Sequence, residues 1–461
     1  MFKMKTKNIV FHIFLLLLLR LVKASAFVQD YHTIHDCRLP TNCLAVNEFQ
    51  PLVLQSVLQY PSYEQSFQFQ YPISVNSDAF VRVTEETRLV CAHGNLRINS
   101  RSLPEDVRSV SIQCGVTSYQ LTQADYPPVH GHYYRYKSKP RCVTSANTFA
   151  EIGCTARQFP EAFLVHDRSK HCQSKICNTW VEIGYQLNDR FLPTIEFIIV
   201  NETKLQPLMA HVTIPPVIGS RQIGRYTWMM RKGPIFGAIP VRIEEVYRRD
   251  YQRGRFYEIF RNRQLVDFYI PEYGDTYLTE GQLISEHDFF YKSQISSASF
   301  YENTVPIWRI IARGNWALAG EFVRQLAAKT RRGLQLWSGT IGQLAFPDFY
   351  RDERPIFLME GVNGEHLVPV PQLLYKYVVD YDGYYGPRGL MLITVNDPRG
   401  SHYLDYARHH ICPPRQTCQR IHPEFADTRL GYTYCCALED VWPTAEQLGL
   451  PVFSGGIEML L

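Results

Sequence analysis

All twelve cysteines lie at or beyond Cys37, and none belongs to a Cys-x-x-Cys pair. An even cysteine count behind a secretory leader reads as a disulfide framework of up to six bridges, and the spacing is wrong for a structural zinc. The leader has three parts. Lys3, Lys5 and Lys7 precede an apolar run from Ile9 to Leu19 broken only by His12, and Ala24-Ser25-Ala26 offers small residues for cleavage. Arg20 and Lys23 after the run would also suit a signal anchor. A run of about eleven residues is too short to cross a hydrocarbon core of about 30 Å, so cleavage after Ala26 and secretion are expected, with no membrane span in the mature chain. Spacing leaves the cysteine pairing open. Asn201-Glu202-Thr203 is a glycosylation sequon, which suits an extracellular chain.

Charge narrows the function classes. The chain has 48 Lys and Arg against 44 Asp and Glu, but five of the basic residues belong to the leader, leaving 43 against 44. Non-specific nucleic-acid binding depends mainly on neutralising phosphates with Lys and Arg. Composition therefore gives such binding no support, and a local basic groove would have to supply it.

Roughly 435 mature residues exceed one ordinary core, so two domains are expected. Residues 27–150 read as a β-rich unit: runs such as Phe67–Ile73 and Ala79–Val83 are broken by Pro, Ser and Asn, with Cys91 and Cys114 as candidate staples. The stretch from Gly131 to Arg141 interleaves aromatic and basic residues. It could stack on bases and hold phosphates, but a charged hairpin edge is the simpler expectation.

Residues 151–445 read as an α+β unit, followed by a tail over 446–461. Val181, Ile183, Tyr185 and Leu187 alternate along a half-buried strand, and Ile195–Val200 and Leu390–Val395 are further strands. Arg242–Arg261 is mostly helical in spacing, with Gly254 as an expected kink. Arg248, Arg249, Arg253 and Arg255 lie on its other face, either as candidate nucleic-acid contacts or, equally, as a solvated face with some like-charge strain. In Asn315–Arg332, Trp316, Ala319, Phe322, Val323 and Leu326 share one helical face, and Gly333 is placed to cap it.

The segment from Tyr277 to Trp316 carries the functional signal. It contains Thr279-Glu280-Gly281-Gln282, Asp288-Phe289, and then Asn303, Pro306, Gly314 and Trp316 at fixed spacing. This pattern resembles the active-site segment of the DNA/RNA non-specific endonucleases, the ββα-metal (His-Me finger) nucleases, and most of all their secreted insect branch that degrades double-stranded RNA and DNA. Further blocks agree in order: Val181–Tyr185, Gln252–Phe256, Leu336–Thr340, Pro371–Lys376, Asn396-Asp397-Pro398 and Gly431–Cys436. The resemblance implies a ββα-metal nuclease-like domain preceded by a smaller β-rich domain. It also implies Mg²⁺ as cofactor and DNA or RNA as partner.

The same resemblance places the reactive positions on altered residues. The family's Arg-Gly-His falls on Glu280, Gly281 and Gln282, so the general-base histidine is a glutamine. A neutral amide can orient water but cannot take its proton, and that loss is worth about 10² to 10⁴ in rate. Glu280 puts an acid where an arginine would attract phosphate. The metal-ligand asparagine falls on Ala312 and the following glutamate on Gly320, while Asn303 is retained. An alanine methyl gives a hard cation no oxygen, so Mg²⁺ binding is in question. Glu321 is displaced by about 100° on a helix and is no simple replacement. His287, His211 and the Arg408-His409-His410 run are the remaining candidate bases. The expectation is a secreted pseudonuclease that binds nucleic acid or an extracellular protein. The alternative is an active Mg²⁺-dependent endonuclease with a non-standard base.

Overall fold

The computed structural model describes residues 38–41, 44, 48–59, 64–75, 78–82, 87–98, 101–102, 108–114, 119–123, 134–135, 152–165, 178–187, 190–220, 229–239, 242–381, 386–399, 410–413, 422–452 and 458–459. The leader, Arg408, His409 and all of the 131–141 stretch except Tyr134 and Arg135 lie outside them.

Two compact units divide between Gln158 and Phe159. The division falls beyond residue 150 because Cys154 is bonded to Cys91, 63 residues away, and Ile152–Cys154 pairs with Leu96–Ile98. Gln158 completes this junction: its side chain accepts from Ala92 N and donates to His93 O, both at 2.7 Å. The first unit's largest sheet is antiparallel, in the order Tyr134–Arg135, Tyr119–Gln123, Ser109–Cys114, Thr87–Val90, Leu52–Gln59, Glu64–Phe69. Along Thr87–Val90, buried Thr87 and Leu89 alternate with half-buried Arg88 and Val90, the period of two that a one-sided sheet requires.

The second unit is built on a nine-stranded sheet. Its order is Glu161–Leu164, Asn178–Leu187, Arg190–Asn201, Gln206–Ile214, Leu334–Gln343, Pro371–Asp380, Arg388–Val395, Thr433–Cys436. Neighbours in this order are antiparallel, and Glu458–Met459 adds in parallel to Arg388–Val395. Within residues 446–461, Glu458–Met459 pairs with the sheet in this way, and Pro451 O accepts from Tyr377 Oη at 2.5 Å. Cys412 and Cys436 form a second disulfide.

Alternation gives the sheet two apolar faces. Leu336, Leu374, Val378, Leu390 and Leu392 face the larger core, while Trp337, Leu373, Tyr375, Tyr377 and Met391 face a second one. Against the larger core pack a hairpin of Leu278–Gln282 with Thr304–Trp308 and the helix Asn315–Thr330. Asn396 ties the hairpin to the sheet, donating to Pro306 O at 3.1 Å and Pro371 O at 3.0 Å and accepting from Trp308 N at 3.3 Å. The helix buries Trp316, Ala319, Gly320, Phe322, Val323, Leu326 and Ala327. It ends at Arg331, which adopts the left-handed conformation (φ 56°), so Gly333 is not the cap.

The 242–261 segment differs from one long helix. Ile243–Tyr247 forms a 3₁₀ turn, Arg248 is extended, and the α-helix runs only over Arg249–Phe260. The helix runs through Gly254 without interruption, and a Cβ built there would meet nothing within 4 Å. Gly254→Ala should therefore stabilise the protein by about 1 kcal/mol, the usual helical difference between the two residues. Denaturant unfolding would register a higher midpoint, and a lower one would mean that the site is constrained in a way its open surroundings do not show.

Candidate functional site

Gly281 sets how closely the hairpin strands can pack. It faces Val305 in the ladder, and the Ile307 side chain crosses it so closely that a Cβ at 281 would lie 2.2 Å from Ile307 Cδ1. The loop between the strands is held by Asn303, which is fully buried. Its Nδ2 donates to Ile284 O at 2.8 Å and Ala298 O at 3.0 Å, and its Oδ1 accepts from Ile284 N at 3.0 Å. Trp316 joins the helix to the hairpin by donating from Nε1 to Gln282 O at 3.0 Å.

Where hairpin and helix meet, a cleft of about 740 Å³ opens. Glu280 and Gln282 from the hairpin, and Ala312 and Gly320 from the helical segment that follows it, all line it. Gln282 is anchored at both ends of its amide: Nε2 donates to Ala298 O at 3.2 Å and Oε1 accepts from Glu286 N at 3.4 Å. Ala312 presents only its methyl. Asn303 does not line the cleft, and its amide is spent on loop backbone, so the retained motif asparagine is a clamp and not a ligand. Glu321 reaches the rim, accepting from Gln325 Nε2 at 3.1 Å.

His287 also lines the cleft, half exposed, with Nδ1 3.3 Å from Ser285 Oγ and 3.9 Å from Glu286 Oε1. Its neighbour Asp288 is buried and turned elsewhere: Oδ1 accepts from Arg324 Nη1 at 2.8 Å and Oδ2 from Ser285 N at 2.9 Å. The two therefore do not act as a His-Asp pair. His211 is on the opposite face of the sheet, between Gln335 and Glu196 and stacked on Trp337. His410 packs against Tyr434. Asn201 is buried, and its Oδ1 accepts from Lys204 N at 3.2 Å as the cap of a short 3₁₀ turn.

The candidate arginines of the 242–261 segment are each engaged locally. Arg248 pairs with Asp250 at 2.8 Å. Arg249 donates to Pro271 O and Gly274 O and lies over the Tyr277 ring. Arg253 is bound by Ile270 O and Asp267. Arg255 is buried between Glu258 and Glu360 over Phe357. These guanidiniums bind nearby carbonyls, carboxylates and rings, and none lines the cleft.

The cleft's cations are instead Arg313, Arg324 and Lys376. Of Lys376 the sequence shows only the end of the Pro371–Lys376 block, although a lysine inside the otherwise apolar run Leu373–Val379 is a signal for a buried charge. Period-two alternation puts it on the hairpin's side of the sheet between Leu374 and Val378, opposite Ser338. It is 2% exposed, with Nζ 3.3 Å from Leu283 O, 3.5 Å from Ser338 Oγ and 4.1 Å from the Trp316 ring centre. Burial pushes its pKa from 10.5 down to about 8, against the pull of Asp288 and with a push from Arg324.

The donor set does not fit Mg²⁺, which takes octahedral oxygen ligands. Ala312 has no donor, the amides of Gln282 and Asn303 are bound to backbone, a buried ammonium occupies the wall, and the carboxylates that line the cleft, Glu280, Glu286 and Glu321, do not gather as one ligand set. Among the described residues no three His, Cys, Asp or Glu side chains converge as a metal-binding group.

A two-stranded hairpin and a helix around one cleft are the core of the ββα-metal nucleases. Residues 241–440 match the family model of the DNA/RNA non-specific endonucleases. The chain is 24% identical over 164 residues to "Salivary endonuclease" of Lutzomyia longipalpis, covering 36% of this chain and 38% of that protein. It is 25% identical over 292 residues to "Salivary protein Tsal2A" of Glossina morsitans morsitans, covering 60% of this chain and 66% of that one. The chain thus spans less than two thirds of the length of either relative. Among solved structures it is similar to a chain of the EndoG/EndoGI complex at 12% identity and a TM-score of 0.28, covering 46% of this chain and 76% of that one. So slight a superposition has no weight in the assignment.

The buried ammonium makes a pH prediction. Between about pH 8 and 10.5 the unfolded chain holds a proton that folded Lys376 has released, so this group makes stability rise with pH across that window. Below it the charge costs on the order of 3 kcal/mol. Lys376→Met should raise the denaturation midpoint at pH 7 and flatten the rise above pH 8. A less stable variant, or an unchanged slope, would show that the ammonium is well compensated.

Proposed function

We propose that the protein is a secreted pseudonuclease whose cleft binds nucleic acid without hydrolysing it. One observation carries the reading: at the general-base position Gln282 offers a neutral amide already bound at both ends, to Ala298 O and Glu286 N. Ala312 supports it from the metal side of the cleft, and Glu280 adds a carboxylate that would oppose hydroxide formation and phosphate approach. Secretion rests on the leader, the disulfides Cys91–Cys154 and Cys412–Cys436, and the salivary relatives. Among the described residues no helix is long and apolar enough to cross a membrane.

A second reading has its own support. His287 is in the same cleft, half exposed and beside Ser285 and Glu286. In an active endonuclease it would be the base in place of Gln282. Incubating the purified protein with plasmid DNA and double-stranded RNA, in Mg²⁺, in Mn²⁺ and with chelator, separates the two. The pseudonuclease reading predicts intact substrate throughout and a gel shift that weakens as salt rises. Chelator-sensitive cleavage that is lost in His287→Ala would establish the second reading instead.

A further inference from the structure

The cleft's carboxylates and histidine do not converge as a metal-binding group among the described residues, yet the cleft contains a positive charge kept out of water at evident cost. Lys376 is 2% exposed, and an ammonium has three N–H donors. Its recorded acceptors are long, at 3.3 Å to Leu283 O and 3.5 Å to Ser338 Oγ, and the Trp316 ring covers one side at 4.1 Å. Asp288, the nearby acid, is already bound by Arg324 Nη1 at 2.8 Å and Ser285 N at 2.9 Å. A buried cation so thinly paired is a poor choice for stability, since an apolar side chain would fill the same space at lower cost.

Gly320 gives that charge an opening. A Cβ there would lie 3.7 Å from Lys376 Cε and 3.2 Å from Arg324 Nη1. Any longer side chain at 320 would stand between the cleft and these two cations. The missing side chain on the helix and the buried charge on the sheet therefore face one another across the cleft floor.

We infer that Lys376 is the built-in cation of this cleft: its ammonium, reached over Gly320, binds a backbone phosphate of nucleic acid directly, so that binding needs no divalent metal. The inference rests on the nucleic-acid-binding reading above and deepens it. The cleft acids Glu280, Glu286 and Glu321 restrict the approach, so the phosphate is expected on the Arg313, Arg324 and Lys376 side.

The test is fluorescence anisotropy of a short labelled DNA duplex with the full chain, in EDTA and in Mg²⁺. Wild-type protein should give the same Kd in both. Lys376→Met should weaken binding about tenfold or more, the usual worth of a charge-assisted contact. Gly320→Glu, which leaves Lys376 in place but sets an acid against it, should weaken binding comparably, while circular dichroism and unfolding confirm that both variants are folded. Binding that requires Mg²⁺, or that survives in both folded variants, overturns this inference and leaves the nucleic-acid reading standing. Absence of binding by the wild-type protein in either buffer overturns both.

Discussion

The site depends on the side chain of Asn303. One amide closes three hydrogen bonds to Ile284 N, Ile284 O and Ala298 O, so the loop between the hairpin strands is tied at two places to the start of the second strand. Glu302 beside it is equally buried and accepts from Gly233 N, Ile235 N and Phe236 N, binding the preceding turn to the same point. A buried polar group left without partners costs about 1–3 kcal/mol. These two adjacent residues are satisfied only if the loop, the hairpin and the 233–236 turn are assembled together. The cleft inherits its shape from that requirement, because Gln282, Ser285, Glu286 and His287 all belong to the segment so held.

The frame can persist while the chemistry changes, because the two use different atoms. Gly281 serves through its missing Cβ, Asn303 through bonds to backbone, and Trp316 through its indole N–H on Gln282 O. None of these needs an imidazole at 282 or an amide at 312. A glutamine at 282 even fits the frame, as its amide bridges Ala298 O and Glu286 N across the loop. Stability therefore does not oppose replacement of the reactive side chains, whereas replacement of the frame residues would dismantle the cleft.

Much of the fold was legible in the sequence because its signals are local or periodic. Val181, Ile183, Tyr185 and Leu187 alternate and are all buried, and the Asn315–Thr330 helix follows its apolar stripe. Fixed motif spacing likewise located Glu280, Gln282, Ala312 and Gly320, which line one cleft. What was not legible depends on partners distant in sequence. The arginines at 248, 249, 253 and 255 look like a free basic face until the carbonyls of residues 270–274 and the carboxylates of Asp267 and Glu360 are brought to them. Asn303 reads only as a retained motif residue until its three backbone partners show it clamping the loop. Lys376 reads as an ordinary strand residue until alternation, Trp316 and the gap at Gly320 place it in the cleft wall. The buried Cys91–Cys154 bridge shifted the unit boundary for the same reason, since pairing cannot be read from spacing.

On the reading proposed above, the nuclease frame remains while the cleft does not recruit a metal. Calorimetric titration of Mn²⁺ into the full-length wild-type protein tests this without reference to any substrate. No saturable heat is expected from the wild type. A stoichiometric, saturable site that Glu280→Ala or His287→Ala weakens would contradict it, because it would mean that cleft side chains assemble a metal centre which the arrangement of Gln282, Ala312 and Lys376 does not provide.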